Sequence, residues 1–325
     1  MLRKIGTILI PTFIAVAILA YMLLQVRDSL AEAIAVMIPQ YLLIAIAICS
    51  VTWFLRGWRY QYILQGLAIR CELLPSTAYI LLSQTANLVV PARLGDLVRM
   101  FILKDQGKAT YSQGLSSIVV ERIFDVIMVA LLGFLCLNFV INVPGWFYTL
   151  ILVPLVGGAI FLVLLYSMGM LESDNRYVRI VLTLLNEIRQ ASLSLRSLTV
   201  LSASSLVIWL LDVAVCMVVI AMFREAVSLP VVILAIAIGN LVKAVPLTPG
   251  GIGTYEAALA ITFSLAGMPA VTATLIAILD HLVKNGVTLA GGIASIYFFG
   301  RWVVRVMQKA FRVKIEGEES GGDGS

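Results

Sequence analysis

A chain of 325 residues has room for about two soluble domains, yet 61% of it is hydrophobic, only 13% is charged, and its mean hydropathy is +1.02. That balance excludes a soluble globular protein, because the apolar residues outrun any interior and the charges cannot coat a surface. The formal net charge of +5 points to basic loops beside a membrane rather than to nucleic acid.

Four single cysteines, Cys49, Cys71, Cys136 and Cys216, show no CxxC spacing. They argue against a disulfide frame or a zinc site. With one histidine, His281, a His-rich metal centre is also excluded, and no cofactor is expected.

A membrane-spanning helix needs roughly 20 mainly apolar residues. In chain order, six stretches meet this as full crossings: Ile5–Val26, Ile34–Leu55, Leu115–Ile141, Phe147–Gly169, Val200–Phe223 and Val271–Phe299. The first is too long for a signal peptide and lacks a small-residue cleavage site, so it is expected to stay as an anchor.

Two more apolar stretches are broken. Leu74–Val90 runs into Pro91-Ala92-Arg93-Leu94-Gly95-Asp96. Val231–Val245 runs into Pro246-Leu247-Thr248-Pro249-Gly250-Gly251-Ile252-Gly253 and resumes from Ala257 to Ala266. Proline and paired glycines stop helices, and unpaired backbone cannot face lipid. Both stretches are therefore expected to be re-entrant hairpins or discontinuous helices, giving an all-α polytopic membrane protein.

With the N-terminus inside and six crossings, nearly every lysine and arginine outside the spans falls on the cytoplasmic side, Arg56, Arg59 and the Arg93–Lys108 group included. Only Arg27 and Arg224 fall outside. This bias predicts cytoplasmic termini in a cell membrane. Between the fourth and fifth spans, Leu171–Ser197 mixes apolar and basic residues as a helix lying on the cytoplasmic face would.

The two broken stretches resemble each other. Asn87-Leu88-Val89 precedes the first break and Asn240-Leu241-Val242 the second. Asp96 and Glu256, Gly107 and Gly267, Glu121 and Asp280, and Asp125 and Lys284 then recur in register. Three crossings separate equivalent elements, so the second half is expected to be inverted, as in many transporters. The halves are residues 1–145 and 146–300, with a basic-then-acidic disordered tail at 301–325.

Several residues at these places can carry chemistry. Asp280 and Lys284 lie deep in the last span, where a charge costs about 2.5–3.5 kcal/mol. Their i,i+4 spacing puts them on one face, as a structural salt bridge or as a substrate or proton site. His281 points off that face, either structural or a proton relay. Glu121, Arg122 and Asp125 open the third span and either snorkel to the surface or mirror Asp280 and Lys284.

Arg93, Asp96 and Arg99 crowd the first break, where arginine suits phosphate and Gly95 permits a tight turn. In the second, Pro249, Gly250, Gly251, Gly253 and Glu256 lead into a half-helix whose N–H groups would aim at an anion. Five bases (Arg93, Arg99, Arg122, Lys243, Lys284) against five acids (Asp96, Glu121, Asp125, Glu256, Asp280) leave both an anion site and a zwitterionic or proton-coupled one open.

Three motifs carry a family resemblance: Pro91-x-Arg93-x-Gly95-Asp96-x-x-Arg99, Ser117-x-x-x-Glu121-Arg122-x-x-Asp125, and Pro249-Gly250-Gly251-x-Gly253-x-x-Glu256 followed by Asp280. In order and spacing the chain resembles the flippase-like family, also called the lysylphosphatidylglycerol synthase transmembrane region, from about Ile5 to Phe299. The resemblance implies handling of polar lipids: aminoacylated phosphatidylglycerol in the multiple peptide resistance factors, polyprenyl-linked sugars in archaeal relatives. The sequence after Phe299 is too short for a soluble synthase domain, so no aminoacyl transfer, and no enzymatic activity, is expected.

The leading expectation is a lipid translocator whose headgroup uses a midplane cavity. Its partners would be anionic or zwitterionic phospholipid or polyprenyl phosphate, together with a synthase or glycosyltransferase. The alternatives are a small-solute or ion transporter on the same frame, an intramembrane enzyme, and a scaffold. No His-based phosphatase set or DDxxD pair supports the enzyme.

Overall fold

The computed structural model describes residues 2–90, 93–140, 143–168, 174–245 and 247–299. Pro91, Ile141, Asn142, Gly169, Leu171, Pro246 and the expected tail at 301–325 lie outside the described residues. Among the described residues the chain is helical throughout, with no strand.

The order is α1 (Leu2–Val26), α2 (Leu30–Ala35), α3 (Tyr41–Gly66), α4 (Leu73–Val89), α5 (Asp96–Asp105) and α6 (Tyr111–Cys136). There follow α7 (Gly145–Ser167), α8 (Arg176–Ser192), α9 (Leu195–Met222), α10 (Leu229–Ala244), α11 (Thr254–Leu265) and α12 (Ala270–Phe299).

Each of the six expected crossings contains a long helix: α1, α3, α6, α7, α9 and α12. Among the described residues, α3, α7, α9 and α12 are long and apolar enough to cross a membrane on length and composition alone. In α6, Glu121, Arg122 and Asp125 dilute the apolar run. This is an integral, multi-pass membrane protein.

Helix boundaries follow local chemistry. The Thr110 hydroxyl accepts from the Gln113 N–H, and the Gln113 side chain reciprocates, starting α6 with a capping box. Ser194 caps α9 through the Ser197 N–H, and Asn175 caps α8. Pro154 sits inside α7, a proline that membrane helices tolerate when neighbours satisfy the freed carbonyl. The second crossing begins and ends later than its apolar stretch suggests. Pro39 separates α2 from α3, and α3 continues through Arg56 and Arg59 to Gly66.

The broken stretches are helix pairs. Arm α4 packs on α5, and α10 packs on α11. Gly107 (φ 65°) closes α5 and Gly267 (φ 91°) closes α11, each in the left-handed region where glycine is cheapest. The two breaks meet: a Cβ on Gly250 would lie 2.9 Å from the Leu88 side chain at the end of α4.

Around these pairs lie two apolar clusters. One gathers α7, α10, α11 and the parts of α3, α6 and α9 around Cys49, Val129 and Val219; the other gathers α4, α5, α8 and the parts of α3 and α6 around Ile63 and Val120. Helices α3 and α6 run through both, and their charged residues fall at the boundary between them.

Close helix contacts fix this boundary. A Cβ on Gly57 of α3 would sit 1.9 Å from Thr77 Oγ1 and 2.8 Å from the Thr77 Cα on α4. Because a backbone atom is in the way, Gly57→Ala is expected to force α3 and α4 apart and to cost about 1–3 kcal/mol. Thermal unfolding in detergent checks this, and an unchanged midpoint would mean that the contact is looser than described.

Candidate functional site: a charged cavity between two helix breaks

A cavity of about 140 Å³ opens at the boundary, lined from α3, α4, α6, α9, α10, α11 and α12 and by both breaks. It has room for on the order of ten water-sized spheres.

The first side is built on arginine–carboxylate pairs. Arg59 of α3 is wholly buried and forks onto Asp125 of α6, with NH1 and NH2 donating to Oδ1 and Oδ2 at 2.5 and 2.9 Å. NH1 also donates to Ser205 Oγ of α9 at 2.7 Å, and NH2 lies 3.4 Å from Glu121 Oε1. Glu121 is shared, because Arg99 of α5 donates to its other oxygen while stacking 4.7 Å from the Tyr60 ring centre. Arg122 binds Asp96 through Nε and NH2, both at 3.1 Å. Asp96 further accepts from Ser83, Gln84 and Asn87 of α4 at 3.1, 3.1 and 3.0 Å. This ties the start of α5 to α4. Gly95 is required there, since a Cβ would lie 2.5 Å from the Asn87 nitrogen.

The second side hangs on Glu256. Gly250, Gly251 and Gly253 have φ of 61°, 77° and 83°, a conformation that side chains disfavour. One Glu256 oxygen accepts the Gly253 N–H at 2.7 Å, and the other meets His281 Nδ1 at 2.8 Å. The half-helix α11 thus aims its first N–H groups at an anion that the chain itself supplies. His281 Nε2 lies 3.1 Å from Lys243 Nζ of α10. On α12, Lys284 pairs with Asp280 at 2.9 Å, and Tyr255 OH donates to the same carboxylate oxygen at 2.7 Å. Tyr255 also lies against His281, with ring centres 4.5 Å apart.

Contacts across the cavity join the sides. An Arg93 guanidinium nitrogen donates to the Lys243 carbonyl at 3.1 Å. Arg56 pairs with Asp212 at 2.9 Å, and its guanidinium carbon lies 5.5 and 5.6 Å from the Trp53 and Trp209 rings. The Trp209 indole donates to the Asp125 carbonyl at 3.1 Å.

Five carboxylates of this site pair with an arginine or lysine: Asp96 with Arg122, Glu121 with Arg99, Asp125 with Arg59, Asp212 with Arg56 and Asp280 with Lys284. The sixth, Glu256, meets His281, which is a cation only when protonated. Among the described residues, Arg93 and Lys243 have no carboxylate partner. The cavity's uncompensated charge is positive, and it can hold an anion. Nor do the described residues include a group of three His, Cys, Asp or Glu side chains placed to hold a metal.

Residues 8–292 match the model of the family described as the lysylphosphatidylglycerol synthase TM region. The chain belongs to that family. It is similar to glycosyltransferase AglD of Haloferax volcanii, 31% identical over 89% of this chain and 54% of that protein, so it spans about half the length of that relative. It is also similar to a UPF0104 membrane protein of Methanothermobacter thermautotrophicus, 22% identical over 91% of this chain and 96% of the relative. A UPF0104 membrane protein of Methanocaldococcus jannaschii is 24% identical over 67% of this chain and 96% of its own. No solved structure matches.

Of the residues singled out in the sequence, Arg93, Glu121, Arg122, Asp125, Gly250, Gly251 and Lys284 line the cavity of this family member. Gly95, Asp96, Arg99, Pro249, Gly253, Glu256 and Asp280 stand behind the lining and hold it. Glu121, Arg122 and Asp125 do not snorkel. His281, expected to lie off the Asp280–Lys284 face, lines the cavity beside Lys284.

Sequence reasoning missed Arg56 and Arg59 by counting them as loop charges, and it missed Asp212, Trp53 and Trp209 altogether. The available signal was helical phase. Arg56 and Arg59 continue the period of α3, and Asp212 sits alone in the apolar run of α9.

Removing one member of a buried pair strands the other, at about 3–5 kcal/mol. Asp125→Leu should therefore lower the unfolding midpoint sharply by stranding Arg59. The double variant Arg59→Met/Asp125→Leu should melt above that single variant. A double variant melting below the single one would mean that Arg59 is held mainly by Ser205 and Glu121.

Proposed function

We propose that this protein carries the headgroup of an anionic lipid, a phospholipid or a polyprenyl phosphate, across the bilayer through the cavity, with the acyl or prenyl chain left in the membrane. The observation that carries the reading is the pair Arg93 and Lys243: two cations without a carboxylate partner, in a cavity enclosed by the helices of a membrane protein, at the meeting point of two helix breaks. A charge at such depth is costly unless it serves a polar pathway. Phosphate suits both side chains, the guanidinium as a fork and the ammonium as a point charge.

The backbone of Arg93 adds support. Its φ of 53° puts an arginine where glycine would be less strained, so the side chain itself is wanted there. The glycosyltransferase name of the Haloferax volcanii relative is compatible with a lipid-linked glycan setting. We assign carriage rather than bond chemistry, in keeping with five of the cavity's carboxylates each being held by an arginine or lysine.

An inverted repeat, residues 1–145 against 146–300, accounts for the element order. Helices α1 to α6 and α7 to α12 both run long, shorter, long, two hairpin arms, long. Glu121 and Asp125 are the eleventh and fifteenth residues of α6, and Asp280 and Lys284 the eleventh and fifteenth of α12. With 17 and 16 residues, arms α4 and α10 reach about 25 Å. That falls short of a hydrocarbon core of roughly 30 Å, as re-entrant arms would. With Arg56 and Arg59 removed from the loop count, Arg70, Lys104, Lys108, Arg176 and Arg179 still oppose Arg27 and Arg224. We therefore propose cytoplasmic termini in the cell membrane.

Two measurements test this. In vesicles with fluorescent phosphatidylglycerol, inner-leaflet probe should become accessible to an outside quencher when wild-type protein is present. Arg93→Gly and Lys243→Gln should each slow that exchange by more than about tenfold, ~1.4 kcal/mol. For Arg93→Gly, relief of left-handed strain, about 1–2 kcal/mol, offsets the lost hydrogen bond, so its melting midpoint should stay near wild type. Normal exchange by folded variants would remove the site reading.

For topology, a membrane-impermeant thiol reagent on intact cells should label Arg224→Cys and not Lys104→Cys, the native cysteines being buried. The reverse pattern would overturn the orientation.

A further inference from the structure

We propose that the site loads an anion and a proton together, with His281 as the proton carrier. The inference rests on the anion-site reading above and concerns what travels with the anion.

With Lys243 taken as the ammonium, its contact with the ring sets the resting state of His281. An ammonium has three donors and no acceptor, so Lys243 Nζ, 3.1 Å away, must face a lone pair on His281 Nε2. The ring proton then sits on Nδ1 and donates to Glu256 Oε1 at 2.8 Å. The other Glu256 oxygen accepts the Gly253 N–H at 2.7 Å. A proton on Nε2 would set two N–H donors of like charge against each other. While Lys243 faces the ring, His281 is held neutral.

An anion changes this. Lys243 and Arg93 lie side by side, since Arg93 donates to the Lys243 carbonyl, and both line the cavity. An anion bound between them draws the ammonium off Nε2 and adds negative charge in front of the ring. Nε2 can then take a proton from cavity water, and the imidazolium keeps its bond to Glu256 while gaining the anion as a second partner. No other bond forms or breaks. When the anion leaves, Lys243 returns to Nε2 and the proton is expelled to whichever side the cavity then faces. This gives a transporter a way to draw on a proton gradient.

The other groups facing His281 do not replace Lys243. From α11, Glu256 and Tyr255 touch the ring. On α12 itself, Asp280 is engaged with Lys284 and Tyr255. Helices α3 and α9, which also pack against α12, bring Arg56 and Asp212 to the cavity as a closed pair. Arm α4 brings the neutral Gln84, Thr85 and Asn87.

His281 is the only histidine in the chain, so one imidazole can be read without ambiguity. Full-length, tag-free protein labelled with 15N in the histidine ring would be titrated at pH 7 with dihexanoylphosphatidylglycerol. This phosphodiester does not itself titrate near neutrality. Binding is followed independently by the fluorescence of Trp53 and Trp209 at the cavity.

Without probe, the two ring nitrogens should give the well-separated resonances of the neutral Nδ1–H tautomer. At saturation they should collapse to the imidazolium position. Calorimetry in buffers of different ionisation enthalpy should then count about one proton taken up per bound probe. Binding with the ring unchanged, or a ring already charged before the probe is added, overturns the inference and leaves the anion site standing. Failure of the probe to bind at all removes the site reading and this inference with it.

Discussion

Hydrocarbon offers no water to a charge, so each ionised group at mid-helix has to be answered by another part of the same chain. That constraint organises the molecule. Arg59 can sit wholly buried because Asp125 presents two oxygens to its fork. Glu121 can sit beside it because Arg99 approaches from α5. Apart from Asp280 and Lys284, both on α12, the answers come from different helices, so these contacts dictate which helices are neighbours: α3 with α6 and α9, α5 with α6, α10 with α12 through His281. Breaking any pair would expose a charge at a cost of several kcal/mol. The apolar clusters on either side then add packing that hydrocarbon alone would not reward, as at Gly57 and Thr77, where only a glycine lets two helices approach.

The same rule explains how each break is tolerated. The open start of α5 carries Asp96 in its first turn, and the open start of α11 carries Glu256 three residues after Gly253. Both carboxylates sit at the positive end of a helix dipole, and both are held in turn by a base. A helix start in a membrane usually reads as an anion site, but here the chain's own acids already take that role. Attraction for an outside anion passes instead to two side chains, Arg93 and Lys243, that no acid answers.

Much of this was legible in the sequence, and what was not has a physical reason. The breaks were visible because proline and glycine inside apolar sequence have few other uses, and the i,i+4 pair of Asp280 and Lys284 declared itself by spacing alone. The second crossing was misplaced because its end was set at the first arginines. A single chain segment cannot reveal that Arg56 and Arg59 are neutralised by Asp212 and Asp125, far away in sequence. The role of His281 stayed open between packing and proton relay for a related reason. Its partners come from α10 and α11, and the periodicity of α12 records only where its own apolar residues lie. The charge count of five against five failed similarly, since α3 and α9 add two bases and one acid to the cavity. One-dimensional patterns report a helix's own phase, while pairing between helices is a property of the fold.

That surplus of base gives the cavity its direction of preference. Arg93 is partly answered, because the carbonyl it binds belongs to Lys243 near the C-terminal end of α10, where the helix dipole is negative. Lys243 is itself in the last turn of α10, so the same dipole end lies beside its ammonium, which otherwise faces the His281 ring. The carbonyl that Arg93 releases and the ammonium that the anion engages belong to one residue. Occupancy of the site thus acts on the end of α10 and, through Arg93, on the turn between α4 and α5. These are the two places where the backbone is already interrupted and where a change of contact needs the fewest helical hydrogen bonds to break.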